Sequence, residues 1–310
     1  MDFGLNAKIF FLSCEGLSNR AIGRSVYVSE HCVRGRLVRL AQRAFCFHSS
    51  LCEGLKISEP LCYDGLQNFA GSQYDPNYIN QAIGRDSLFI YDFNFASLNR
   101  AGRMSDWQKQ RLAEIIDEQG RYNPTAVRIA TRRLLDRLYI KRDPQSEFTL
   151  LSDEHFHYRK AVKQDLRHLK IDHITISSKA TRNYQNILFA VNHADLMIRQ
   201  KSGAFARETI SFSKTPGAMC QKYALYMINK NYMSPQFTKK MVRRPEAHLA
   251  SPAQTMGLCE RVLSFSEIFV HRSVVPDLTK LNPEWRQFWR GKIPKEHRRS
   301  KEFSKPALAT

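Results

Sequence analysis

No apolar run in this sequence approaches the ~20 residues needed to cross a bilayer. Its opening, MDFGLNAKIFFLSCEGLS, has no basic stretch leading into a signal-peptide core, so a cytosolic protein is the expectation. Cysteine pairing is missing too. The seven cysteines, Cys14, Cys32, Cys46, Cys52, Cys62, Cys220 and Cys259, form no CxxC pair, which argues against a zinc ribbon or a disulfide framework and for reduced, mostly buried thiols. Tryptophan is scarce, and the scattered Trp107, Trp285 and Trp289 read better as packing anchors than as a base-stacking platform. No internal repeat is present. Acidic charge is in short supply: 29 Asp and Glu face 48 Lys and Arg, a formal net charge of +19. That balance favours a polyanionic partner through counterion release, nucleic acid first. Charge alone does not separate a DNA enzyme from a basic ribosome-associated or membrane-surface protein.

What is present suits a folded chain. With 310 residues, 43% of them hydrophobic and 11% aromatic, one sizeable core with smaller appendages is expected. The apolar stretches AKIFFLSCEG and EHCVRGRLVRLAQRA, with LSNRAIGRSVYVS between them, predict a helical unit over residues 1–50 that resembles a helix-turn-helix. Leu17, Ala21, Ile22 and Val28 form its inner face, Ser29 caps the last helix, and Arg34, Arg36, Arg39 and Arg43 give that helix a basic surface for phosphates or base edges. The plainer reading is an amphipathic helix pair that packs on the core.

From Glu59 the pattern turns to strands, PLCYDGLQNF and DSLFIYDFNFASLN, expected as a hairpin, with GSQYDPNYINQAIGR between them as a loop. MSDWQKQRLAEIIDEQG predicts a helix capped by Ser105 and ended by Gly120. PTAVRIATRRLLDRLYI predicts another, with Val127, Ala130, Leu134 and Leu138 inward. EFTLLSD reads as a buried strand, DEHFHYRKAVKQDLRH as a helix, HITISS as a strand, and YQNILFAVNHADLMIRQKSGAF and AMCQKYALYMINKNYM as helices. A boundary falls near Tyr232. Residues 234–310 read as a basic, partly disordered extension, in which the stretch from Arg286 to Lys305 carries eight Lys/Arg and two Glu as a solvated tail or nucleic-acid arm.

Two acids stand out. Asp64 lies late in the strand PLCYD and Asp153 ends EFTLLSD, so with those strands adjacent in a mixed sheet the two carboxylates face each other. Taken singly, each is more simply a turn or cap residue. Paired carboxylates on rigid strand ends are what hard divalent cations require, and two such ions serve phosphodiester cleavage and strand transfer.

The order of elements and acids resembles the ribonuclease H-like core of DDE transposases. RETISFSK, residues 207–214, with the following helix AMCQKYALYMINKNYM, is similar to the C-terminal signature of insertion-sequence transposases of the insertion sequence one type. PLCYDGLQNF, SQYDPNYINQAIGRDSLFIYDFNFA and LSDEHFHYRKAV resemble further segments of that family. The resemblance implies an α/β fold, a ribonuclease H-like mixed sheet flanked by helices over residues 58–233, preceded by the helix-turn-helix. It implies metal-dependent DNA cleavage and strand transfer, a pair of Mg2+ or Mn2+ ions, double-stranded DNA as partner and a homo-oligomeric assembly. It puts the first acid on Asp64, the second on Asp153, and the third, usually Glu, on Asn192, a departure. A neutral amide binds a cation more weakly than a carboxylate, and Asp195, three residues on along the same helical face, offers compensation, so either or both reach the metals. Glu208 is a further candidate, better read as a surface or DNA-contact residue. His155, His157 and His193 flank the acids and read as packing or surface histidines. Arg199, Arg207 and Lys214 are placed to hold the DNA backbone. A catalytically silent DNA-binding relative, weighted by Asn192, and a nuclease on the same fold stand as alternatives.

Overall fold

A computed structural model of the chain describes residues 3–206, 211–236, 250–270 and 277–293. The N-terminal stretch forms three helices, α1 (Phe3–Cys14), α2 (Asn19–Ser25) and α3 (Glu30–Leu51). Ser18 caps α2 by accepting from Ala21 N, and Ser29 caps α3 by accepting from Cys32 N. Between them the chain turns at Tyr27, whose φ of 56° lies in the left-handed region and whose ring is exposed. Of the expected inner face Ile22 is buried, while Leu17, Ala21 and Val28 are half-buried. The C-terminal half of α3 is not a surface: Ala41, Ala44, Phe45, Phe47 and His48 are buried.

Five strands follow, β1 (Leu61–Phe69), β2 (Pro76–Gly84), β3 (Ile90–Ser97), β4 (Phe148–Asp153) and β5 (Ile171–Ile176). They form one sheet in the order β3-β2-β1-β4-β5. β2 is antiparallel to both β1 and β3, whereas β1–β4 and β4–β5 are parallel. Helix α4 (Asp106–Gln119) buries none of its residues, while α5 (Ala126–Ile140), α6 (Phe156–Lys160), α7 (Phe189–Lys201) and α8 (Pro216–Ile228) complete the core. The result is a mixed α/β fold with a five-stranded mixed sheet flanked by helices, an arrangement compatible with a ribonuclease H-like fold. Among the described residues no helix is long and apolar enough to cross a membrane.

Several local expectations hold for the reasons that produced them. The Ser105–Gln108 capping box opens α4 and Gly120 closes it at φ 74°, a conformation a side chain would resist. Val127, Ala130, Leu134 and Leu138 are buried on α5. Two expectations fail. The segment read as a loop contains β2, a central strand buried along almost its whole length. β1 and β3 are therefore not a hairpin; each pairs with β2 instead. Part of the polar character that suggested a loop finds partners inside: the Asn80 amide donates to Asn94 Oδ1 at 3.0 Å, and Gln81 bonds both Asp195 and Tyr223, although the Asn77 and Asn80 side-chain oxygens are buried without a hydrogen-bond partner among the described residues. The stretch expected as one helix after β4 also breaks, from α6 into a π-helical turn over Ala161–Asp165.

The third correction concerns the C-terminal part. Tyr232, expected at a boundary, is fully buried and its hydroxyl hydrogen-bonds His48 Nδ1 at 3.0 Å. The short helices Pro252–Thr255, Phe265–Phe269 and Pro283–Trp289 pack on the preceding structure. Trp285, in the region read as an extension, and Phe288, inside the stretch read as a tail, are buried, and Trp285 donates its indole N–H to Phe93 O at 2.9 Å. Beside it Glu284 accepts from Arg137 at 2.5 Å, and Arg137 also bonds Asp92 at 2.9 Å. One hydrophobic cluster runs from Ile9 and Phe10 through the sheet to Phe288, so the described parts of the three expected regions share a core. Trp285→Ala is expected to cost about 3–5 kcal/mol of unfolding free energy, the usual range for emptying a buried aromatic site. Guanidinium unfolding followed by circular dichroism measures it, and an unchanged midpoint would detach this helix from the fold.

Candidate active site

The site is built by strand pairing. β1 and β4 run parallel with Tyr63 opposite Ser152, so Asp64 and Asp153, the next residue on each strand, emerge side by side at the sheet's centre. Across β1 on its other side, Asp64 is the register partner of Gln81 on β2. Gln81 donates its amide N–H to Asp195 Oδ1, on α7, and accepts from the Tyr223 hydroxyl of α8. Asp153, Asp64 and the Gln81-bound Asp195 thus span three neighbouring strands on the face that α7 covers. Tyr63, on the opposite face, is buried against α5, its hydroxyl donating to Thr131 Oγ1 at 2.9 Å.

The electrostatics follow from that crowding. The Asp64 carboxyl is pushed up from 3.8 to about 7, first by burial, then by the negative charges of Asp195 and Asp153. Two interactions work the other way: the Gly65 N–H donates to Asp64 Oδ1 at 2.7 Å, and Arg182 attracts its charge. Tyr158 OH lies 3.4 Å from the same oxygen. Asp153 Oδ1 accepts from His155 N at 2.9 Å, an Asx turn that fixes the carboxylate at the strand's end. Among the described residues no three His, Cys, Asp or Glu side chains meet as a metal-holding group.

Asn192 lies half-buried on α7, one turn before Asp195, and its side-chain amide makes no hydrogen bond to another described residue. His155 packs between Tyr158 and Tyr78, with ring centroids 4.6 and 6.1 Å away, and His193 stacks on Phe189 at 5.4 Å. Burial lowers the pKa of His155, His157 and His193 alike, which suits packing residues that stay neutral.

The expected DNA-contact residues divide. Arg34 and Arg39 are exposed on α3, whereas Arg36 is half-buried and donates to Asn6 Oδ1 of α1 at 2.6 Å. Arg199 donates to the main-chain carbonyls of Phe205 and Gln67, at 2.9 and 3.1 Å, stapling α7 to β1. Lys214 is exposed, its ammonium 3.8 Å above the Phe212 ring. Arg207 and Glu208 lie outside the described residues.

Four site residues had not been singled out from the sequence: Gly65, Gln81, Tyr78 and Tyr158. One signal was available, since a lone glycine inside a strand marks a close approach. A Cβ on Gly65 would sit 2.9 Å from the Tyr78 ring and 3.0 Å from the Tyr158 hydroxyl. Glycine there lets two aromatic side chains close over Asp64.

Neither a protein-family model nor a curated protein matches the chain. Among solved structures it is similar to one titled "Crystal structure of the Mos1 Strand Transfer Complex", at 10% sequence identity and a TM-score of 0.24. That match covers 61% of this chain and 64% of the other. The sheet order, not this likeness, defines the fold.

Between pH 3.8 and about 7 the folded protein holds a proton on Asp64 that the unfolded chain has lost, so ionising this group costs stability as pH rises through that window. Asp64→Asn, kept in chelator, should therefore match wild type at low pH and become more stable above neutrality, by on the order of a few kcal/mol. Thermal unfolding across the window checks this; parallel curves for the two proteins would mean that Asp64 is not under charge stress.

Proposed function

We propose that this chain is a DNA transposase of the DDE type, with Asn in the third place, which cuts phosphodiester bonds at element ends and joins them to a target. The observation that carries the reading is the juxtaposition of Asp64 and Asp153 on adjacent parallel strands, with Asp195 close enough to raise the Asp64 carboxyl. A half-buried set of carboxylates whose charges act on one another is the chemistry of a site for hard divalent ions. Asp64 and Asp153, with the Asn192 amide or the Asp195 carboxylate, would hold Mg2+ or Mn2+, as a pair of ions, which would supply a bound nucleophile and neutralise charge on the reacting phosphate.

The chain's own residues do the rest. Gln81 and Tyr223 fix Asp195, the His155 N–H fixes Asp153, and the Gly65 N–H fixes Asp64, so the donors are held before any ligand arrives. Tyr78, Tyr158 and His155 wall the acids on one side and limit water. Arg34, Arg39 and Lys214 offer exposed positive charge for the DNA backbone. Arg36, Arg199 and Arg207 belong to the same basic set; the observed bonds of Arg36 and Arg199 give them a bracing role beside any contact. Joining two ends to one target calls for a homo-oligomer.

Incubation with end-bearing supercoiled DNA and a magnesium or manganese titration tests the reading. Wild type should nick and join; Asp64→Ala and Asp153→Ala should lose at least a hundredfold in rate while still binding DNA, since removing a metal-binding carboxylate removes transition-state charge stabilisation. Binding without cleavage under every metal condition would leave a silent DNA-binding protein, the reading that the neutral Asn192 favours. Cleavage without joining would leave a nuclease.

A further inference from the structure

A cavity with a basic rim lies apart from the acids. It is a cleft of about 730 Å³ between the N-terminal helices α1–α3 and the junction of α7 with α8. Five basic residues line it, Arg20, Arg34, Lys201, Lys214 and Lys222, against a single acid, Glu30. Lys201 is compensated by Glu15 at 2.9 Å. Lys222 is not: half-buried, it has no hydrogen-bond or ion-pair partner among the described residues, and burial alone lowers its pKa. Ser213 supplies an independent sign, for its hydroxyl is buried in the cleft wall, with the residue 3% exposed, and has no hydrogen-bond partner. Beside it the 13-residue α8 begins at the Thr215 cap and Pro216, so the positive end of its dipole also borders this space.

A half-buried cation and a buried hydroxyl without partners among the described residues each carry a desolvation cost that an incoming oxyanion would relieve. We propose that this cleft seats a phosphodiester group of the DNA strand being processed, with Lys222 and Ser213 contacting the phosphate at depth and Arg20, Arg34 and Lys214 holding the flanking backbone. The assignment rests on the transposase reading and extends it. Arg34 and Lys214, distant in sequence, meet in this one space. α7 joins the cleft to the acids: Lys201 lies six residues beyond Asp195, about 9 Å along the helix axis. A strand gripped by α2 and α3 and reaching the acids passes this wall.

The test is fluorescence anisotropy of the full chain with a labelled ~30-base-pair duplex over a salt series. Lys222→Met should weaken binding about threefold to tenfold and reduce the slope of log affinity against log salt by about 0.9, the loss of one phosphate contact. Ser213→Ala should weaken binding less and leave the slope unchanged. Lys170→Met, on the exposed surface before β5, serves as the charge control and should leave the slope as in wild type. If Lys222→Met lowers thermal stability, the exposed Arg20→Ala decides in its place. Wild-type slopes for both Lys222→Met and Arg20→Ala would overturn the cleft assignment while leaving DNA cleavage intact. No DNA binding by wild type would overturn cleft and transposase reading together. Tighter, Lys222-dependent binding to phosphatidylglycerol vesicles would give the phosphate to a lipid and overturn it as well.

Discussion

The parallel pairing of β1 with β4 is the constraint on which the molecule turns. It sets Asp64 beside Asp153 at the sheet centre, where two like charges repel and neither carboxylate makes an ion pair among the described residues. A fold selected for stability alone would place an apolar pair there, because buried unpaired charge costs several kcal/mol. Much of the surrounding structure makes sense as support for that strained pair. The Gly65 N–H and the His155 N–H each hold one carboxylate, and Arg182 supplies attraction from the loop before α7.

The same constraint explains why polar residues sit inside β2. Asn80 and Gln81 occupy a strand covered on both faces, where valine or isoleucine would be usual. Gln81 earns its place by linking Tyr223 to Asp195, which fixes the third carboxylate over the strand next to Asp64. The core thus trades apolar packing for a hydrogen-bonded frame, and the rest of the chain compensates. Trp285, Phe288 and Phe45 pack around Phe93 on β3, which anchors the sheet from the edge farthest from β5.

How much of this was legible follows from the kind of signal each part carries. A helix with a capping box, such as α4, and one with a clear apolar period, such as α5, could be read directly, because their signals are local. So could the placement of Asp64 and Asp153 at strand positions, where apolar runs stop at an acid. β2 could not, because its Asn and Gln side chains look like loop residues until their partners on α7, α8 and β3 are known, and those partners are distant in sequence. The C-terminal helices failed for a related reason. Each spans seven residues or fewer, too short for periodicity, and their anchors Trp285 and Phe288 stand among basic residues that suggest solvent. The cleft was invisible for the same cause, being assembled from three separated segments.

Asn192 is the residue whose meaning changes most between sequence and structure. Read alone, it looks like a lost carboxylate. Yet Asp195, one turn further along α7, is already the largest charge acting on Asp64, ahead of Asp153. A fourth carboxylate at position 192 would add to a repulsion that holds one acid near neutrality, and without bound cations the excess charge would press the site apart. An amide there still presents an oxygen donor and adds no charge. On this argument Asn192 and Asp195 are two halves of one arrangement: the negative charge sits at 195, where Gln81 and Tyr223 hold it, and position 192, one turn earlier on the helix, is neutral.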